Sequence, residues 1–525
     1  MTGRWPGGGW TRRGVLRAFG VGISAIGFGA SLSGCSDPRL SRGPIDAGTG
    51  GAFRVGVRGG SSADVLDPHR IQSDIDTART INLFDSLGQI NPDATMSNQL
   101  AQEMVQRTDG MEWTFRLKDG LTFHNGKDVT ADDVIATLRG IVDPKKPSPS
   151  APLLSAIDMK GLARVDKLTV RVPMLRPSVI LSDTLGQYMT FAVVPEDFDP
   201  RKPVGAGPFK LKSFTPGKES VFEPFADYWQ GASKIDQLHI LNFADEQAQV
   251  NAVINGQVDA VAGLTAGSMR LIQAQNEVRL SVEDEAGSWA ALTMLTTVKP
   301  FDDGRVRAAL RLCADREQMR KAVYSGRGTI GNDVPSIWDP MYDRRMAQRT
   351  QDLRRSRELL REAGHDRLSL ELTVADVFSG AIEQATVFAE QAREGGFDIT
   401  LKKLDISTFY ADYGKWPFSV DWFYYNPYLQ QISMSYDSDA GYNTTQWRNA
   451  RFQELHTEAL RTVDRSARER IVHEMVRLEN ADGPMILSLF APTIDAVRKN
   501  VSGLKRSRTG MSLGCYDFRG VTVGV

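Results

Sequence analysis

Only three cysteines and six histidines occur among 525 residues. There is no Cys-x-x-Cys pair and no zinc spacing, so neither a disulfide scaffold nor a structural zinc site organises the fold. His-Glu-x-x-His is absent, which removes the zinc-protease motif. Excess positive charge is missing too. The first 34 residues hold four arginines and no acid, leaving 59 basic against 64 acidic residues, a net of about −5. That balance argues against nucleic acid or a polybasic membrane surface as partner. No apolar run is long enough for a membrane-spanning helix. One nucleophile-elbow string does occur, Gly510-Met511-Ser512-Leu513-Gly514. It lies near the C-terminus with no room for the helix such an elbow opens, and no histidine follows it, so it reads as a chance match.

What is present begins at the N-terminus. Arg12 and Arg13 form a twin-arginine pair, a small-residue apolar run follows to about Ala30, and Leu32-Ser33-Gly34-Cys35 forms a lipobox. The order reads as an export signal, residues 1–35, ending at a cysteine that is lipidated. Residues 36–50 are polar and rich in Gly and Pro, a flexible tether. The protein is therefore expected outside the cytoplasmic membrane, anchored by lipid at Cys35. Cys313 reads as a buried thiol, and a Cys313–Cys515 disulfide stays open as an alternative.

About 490 mature residues exceed a single core, so two or three domains are expected. Phe53–Val57, Trp113–Leu117, Leu168–Val172 and His239–Phe243 alternate as strands. Leu121–Phe123 and the Asn125-Gly126 turn suggest a hairpin. Thr130-Ala131-Asp132-Asp133 is a capping box. A helix over 246–254 stops at Asn255-Gly256, and Asp303, Asp315 and Asp464 cap further helices. Helix and strand alternate throughout, which gives an α/β chain with mixed sheets.

Seven segments, in order, resemble the family 5 solute-binding proteins of ABC importers. They include Gly205-Ala206-Gly207-Pro208-Phe209, Asp227-Tyr228-Trp229-Gln230-Gly231, residues 246–261, Phe301-Asp302-Asp303-Gly304-Arg305-Val306-Arg307, Ala314-Asp315-Arg316 and Arg357-Glu358-Leu359-Leu360-Arg361-Glu362-Ala363-Gly364. Most of these residues have structural roles. Gly205 and Gly207 permit close backbone approach, and Asp227, Tyr228 and Trp229 read as a packed loop anchor.

The resemblance implies a two-lobed, periplasmic-binding-protein-like α/β fold with a hinge and an extra side domain. Lobe I would comprise 51–86, 204–296 and 496–525, with 87–203 as its side domain and 297–495 as lobe II. It implies no enzyme and no cofactor; the six scattered histidines suggest no metal cage, and nickel stays open only through the breadth of the family. It implies a monomer that captures a peptide-like or other small organic solute between its lobes and delivers it to an ABC permease and ATPase. Presentation of solute to a sensor and, more remotely, a secreted hydrolase are the alternatives.

The family's tryptophan-rich strand corresponds to Asp421-Trp422-Phe423-Tyr424-Tyr425-Asn426-Pro427. The aspartate that pairs with a peptide amino terminus in relatives is missing between Trp422 and Pro427, and Asn426 stands in that neighbourhood. Asn is neutral, so stacking with neutral hydrogen bonds replaces one dominant ion pair. Trp422, Tyr424, Tyr425, Asn426, Tyr442, Asn443, Trp289, Ser61 and Ser62 are the candidate ligand contacts. Asp421 reads as a cap or a buried partner. Asp437 and Asp439 lack the Gly and Glu of a calcium loop.

Overall fold

In the computed structural model of the chain, residues 50–71, 73–187, 190–437 and 440–524 are described. Arg12, Arg13, Cys35 and Asp439 lie outside the described residues, as does the tether up to residue 49. Among the described residues, two large mixed sheets and a four-stranded antiparallel sheet carry the fold, beside two two-stranded ribbons. The first has seven strands in the order Val278–Glu283, Thr493–Arg498, Ala260–Val261, Ala52–Arg58, Gln237–Phe243, Glu219–Pro224 and Phe209–Thr215. The central strand Ala52–Arg58 runs parallel to both neighbours. Its alternation works as a half-buried strand requires: Phe53, Val55 and Val57 all enter the core.

The second sheet has six strands, in the order Thr329–Ile330, Met485–Phe490, Trp289–Met294, Phe418–Phe423, Leu368–Val374 and Phe397–Lys403. Residues between 87 and 206 build their own core around a four-stranded antiparallel sheet and the helix Ala131–Ile141. The Thr130–Asp133 capping box is formed on both sides. The hairpin read at 121–128 is only a single bridge, Thr122 to Asp128.

The chain passes between the two large sheets twice. It leaves the first at Glu283 and enters the second at Trp289, then leaves the second at Phe490 and re-enters the first at Thr493. These crossings precede the expected positions, 296 and 496. Trp289–Met294 therefore pairs with Phe418–Phe423 in the second sheet. The C-terminal segment braces the first crossing: Gly287 N–H donates to Arg508 C=O at 2.6 Å and Arg508 N–H to Pro92 C=O at 2.6 Å.

Several local readings acquire a packing reason. A Cβ on Gly205 would collide with the carbonyl oxygen of Leu83, and one on Gly207 would lie 2.6 Å from the Leu83 carbonyl carbon. Tyr228 O–H and Trp229 Nε1–H both donate to Asp85 Oδ2, at 3.0 and 2.9 Å, so this loop is an anchor. Burial holds Asp85 up at about 6. Asp245, Asp303, Asp315 and Asp464 each accept a backbone N–H at the head of a helix. Ser512 is buried in a four-residue turn whose Leu513 and Gly514 are left-handed, and no elbow helix leaves it.

The alternative of a Cys313–Cys515 disulfide is corrected. Both are free thiols. Cys313 belongs to the core beneath the second sheet and Cys515 to the core beneath the first. Burial pushes the Cys313 thiol up to about 12 and Cys515 up to about 11, so both are unreactive.

The glycine contacts yield a paired prediction. Gly205→Ala should lower stability by about 1–3 kcal/mol, because the Leu83 backbone must move. Gly140→Ala, inside the Ala131–Ile141 helix with open space around its Cβ, should raise stability by about 0.5–1 kcal/mol. Urea titration of the two variants should give opposite signs; the same sign in both would refute the packing argument.

Candidate functional site

Strand Phe418–Phe423 sits inside the second sheet, and its end points toward the other half of the molecule. Residues 424–427 leave the sheet, and Pro427 starts helix Tyr428–Ser435. Opposite stands the N-terminus of helix Asp74–Leu83, preceded by Ser73, whose hydroxyl donates to Asp76 Oδ2 at 2.9 Å. Pro149, Ser150, Leu153, Gln187 and Thr190 of the side domain close the third side. These elements enclose a cavity of about 470 Å³, lined by His69, Ile71, Ser73, Asp74, Thr77, Pro149, Ser150, Leu153, Gln187, Thr190, Tyr410, Tyr413, Asp421, Trp422, Phe423, Tyr424, Asn426, Met434, Gly441, Tyr442 and Met511. That size falls within the range of small-molecule sites.

Aromatic rings dominate one wall. The Trp422 indole stacks on Phe378 at 5.4 Å and 22° and meets Tyr424 edge-on at 5.4 Å and 88°. Its Nε1–H donates to Tyr410 O–H at 2.9 Å. Tyr442 meets Phe423 edge-on at 5.8 Å. Such faces offer apolar contact, and the tyrosines add hydroxyl groups.

Two ties cross the cavity between the halves. Tyr424 O–H donates to Asp74 Oδ1 at 2.6 Å. Gln187 Nε2–H donates to Asn426 Oδ1 at 3.0 Å, while Asn426 Nδ2–H donates to Gln431 Oε1 at 2.9 Å.

Among the described residues neither lysine nor arginine lines the cavity. Its titratable groups are pushed toward neutrality by burial. Asp421 rises to about 7 because desolvation outweighs its donors, Trp422 N–H, Tyr413 O–H and Thr444 O–H. Asp74 is also raised by desolvation, against the opposing Tyr424 hydrogen bond. His69 is lowered by burial, and its Nε2 lies 2.9 Å from Ala192 C=O. The neutral ring therefore donates there rather than offering that nitrogen to a ligand. Among the described residues no group of three His, Cys, Asp or Glu is placed to hold a metal ion.

The sequence candidates divide. Trp422, Tyr424, Asn426 and Tyr442 line the cavity. Asn426 does so as a strut, 2% exposed with its amide engaged. The other five do not line it. Tyr425 is 1% exposed and packs against Ile90, Ala94 and Trp338, because the chain leaving the strand turns it away from Tyr424. Trp289 is 2% exposed, in the core against Phe423 at 5.2 Å. Asn443 shapes a turn: its Oδ1 accepts from Gln446 N–H at 2.7 Å and its Nδ2–H donates to Asp437 C=O at 3.1 Å. Ser61 and Ser62 are exposed, with Ser61 N–H closed onto Asp64 Oδ1 at 2.7 Å, outside the cavity.

Asp74, Tyr410, Tyr413 and Gln187 were not among the sequence candidates. The run Phe409-Tyr410-Ala411-Asp412-Tyr413, with Trp416 close behind, carries an aromatic signal. Asp74 looks like any acid in the first turn of a helix, and nothing local marks Gln187.

This geometry can be set beside known proteins. The chain is 23% identical over 452 residues to the nickel-binding protein NikA of Staphylococcus aureus, covering 84% of this chain and 89% of that protein. It is 23% identical over 481 residues to the glutathione-binding protein GsiB of Escherichia coli K12, covering 86% and 91%. The fold matches the periplasmic binding protein AgaA of A. tumefaciens R10, solved with agropinic acid, with a TM-score of 0.77 over 90% of this chain and 99% of that one, at 24% identity. Structural neighbours of this kind are two-lobed, which is the architecture that the two large sheets and their two crossings build here. Residues 95–448 match the sequence profile of the bacterial extracellular solute-binding proteins, family 5, middle segment. The chain therefore belongs to family 5 of the bacterial extracellular solute-binding proteins, binding proteins of ABC importers rather than enzymes.

Proposed function

We propose that the cavity between the halves is the solute site, that it takes a peptide-like or other small organic solute, and that the lipidated, twin-arginine-exported protein delivers it to an ABC permease as a monomer. The observation that carries the reading is the wall of Trp422, Tyr424 and Tyr442 facing Asp74 across a cavity of about 470 Å³. The tie from Tyr424 to Asp74 exists only when the halves are together. A ligand that fills the cavity favours that state, and closure is a population shift driven by contacts made only there. Relatives named for nickel, glutathione and agropinic acid show how widely ligands vary on this frame. The lining supports a neutral organic solute, since its described residues include no lysine or arginine and its carboxyls are held toward neutrality. Native mass spectrometry of the purified mature protein should reveal a co-purified organic solute.

Three outcomes test this. Trp422→Ala should weaken solute binding by about 1–3 kcal/mol through lost stacking. Tyr424→Phe should weaken it by about 1–2 kcal/mol through the lost tie to Asp74. Calorimetry with the identified solute measures both; wild-type affinity in both variants would remove this cavity as the site.

Salt and pH report the charge of the ligand. Affinity should change less than about threefold between low salt and roughly 0.5 M, since no ion pair dominates. Asp421 is protonated below about 7. A neutral solute that excludes water favours the protonated form further, so affinity should fall as pH rises through about 7. Asp421→Asn should flatten that dependence. A cationic solute would reverse the sign, with affinity rising and a proton released on binding.

Anchoring is tested by fractionation. Cys35→Ala should release an exported, soluble protein, and replacing Arg12 and Arg13 together with lysine should block export. A Cys35→Ala protein still wholly membrane-bound after a salt wash would rule out the lipid anchor.

A further inference from the structure

Most polar groups around the solute cavity already have partners. Asp74 accepts from Tyr424 at 2.6 Å, and Asp421 accepts from Tyr413, Thr444 and the Trp422 N–H. Thr77 O–H donates to Ser73 C=O at 3.1 Å, and Gln187 is bonded to Asn426. His69 differs, because only one of its two ring nitrogens is engaged. We propose that His69 Nδ1 is a specificity-determining contact, which accepts an N–H or O–H from the solute. The proposal rests on the reading that the solute enters this cavity, and it names a group that the solute must carry.

The ring is fixed by its surroundings. His69 lies in the turn Pro68–Arg70, ahead of helix Asp74–Leu83. Asp67 accepts the His69 backbone N–H at 3.1 Å, and Ser148 O–H donates to His69 C=O at 2.6 Å. Ring Nε2 stands 2.9 Å from the carbonyl oxygen of Ala192, itself a fully buried core residue. A carbonyl can only accept, so Nε2 carries the proton. Burial lowers the ring's pKa, so the ring is neutral and holds that proton alone. Nδ1 is therefore a bare lone pair, and the backbone at Ala192 dictates that state.

Among the described residues no donor meets Nδ1, and this atom is not closed off from solvent. His69 is part of the cavity lining. While water reaches the lone pair, leaving it without a protein donor costs little. A solute that displaces this water must replace its hydrogen bond or lose affinity. A site that offers a hydrogen bond discriminates strongly against an analogue that cannot make it. The solute implied has an aromatic or apolar body for the wall of Trp422 and Tyr442, and an N–H or O–H for His69.

The test uses indole and benzofuran, bicyclic aromatics of the same size that differ by a ring N–H against a ring oxygen. Dissociation constants come from saturation-transfer NMR on the full mature chain, and positions from soaked crystals. Indole should lie in the cavity with its N–H on His69 Nδ1 and bind at least about fivefold more tightly than benzofuran. With the six histidines labelled with nitrogen-15, indole and not benzofuran should shift the signal of the unprotonated His69 Nδ1. His69→Gln can keep a donor to Ala192 C=O but has no lone pair at the Nδ1 position. It should bring indole to within about twofold of benzofuran and leave benzofuran within about twofold of its wild-type affinity. Should His69→Gln lose both probes through misfolding, the Nδ1 signal of the wild-type protein decides alone. Equal affinity for the two probes, an indole preference that survives His69→Gln, or a proton on Nδ1 in the unbound protein would overturn the contact. Equal binding of both probes, weakened for both by Trp422→Ala, sinks this inference and leaves the cavity as the solute site. No saturable binding of either probe removes the aromatic-walled cavity as the site, and the inference falls with it.

Discussion

The two passages of chain between the large sheets are the constraint on which the rest of this molecule depends. Residues 284–288 and 491–492 are the links between strands that pair in different sheets. Each sheet buries its own core, with Phe53, Val55 and Ile240 in one and Leu292, Val420 and Ile486 in the other. Two cores joined by short links can rotate against one another without losing either. The strand end at Phe423 and the helix start at Asp74 then meet across the gap, and a cavity follows from that meeting.

The site uses buried polar groups sparingly, and each has a defined partner. Asp421 takes three donors from its own half, so it shapes the wall and does not cross the gap. Tyr424 and Gln187 cross it. This separates groups that hold the wall in shape from groups that sense whether the halves are together. The absence of lysine and arginine among the described lining residues keeps the field weak, which suits a receptor that must also release its cargo.

The C-terminal segment has a role its glycine-rich sequence does not advertise. Arg508 and Thr509 accept backbone N–H groups from Gly287 and Tyr425, while Arg508 donates to Pro92. One short stretch thus touches the first crossing, the aromatic loop and the side domain.

The sequence alone determined the local elements and the family. Alternation named the strands at 53–57, 113–117 and 239–243, because burial on one face writes period two directly into residue order. Caps at Asp303, Asp315 and Asp464 were legible because a helix start is satisfied by neighbours in sequence. The close approach at Gly205 and Gly207 was legible because only glycine fits beside Leu83. Of the aromatic loop, sequence marked the stretch and not the side of each ring. Trp422 and Tyr424 face the cavity while Tyr425 turns into the core, since leaving the strand changes the period at that point. Trp289 belongs to the second sheet for a reason that no local pattern carries: its partners, Phe423 and Phe490, stand far along the chain. Asp74 and Gln187 became notable only through tertiary structure. Their chemistry depends on what lies opposite, and no local pattern in the chain encodes an opposite wall.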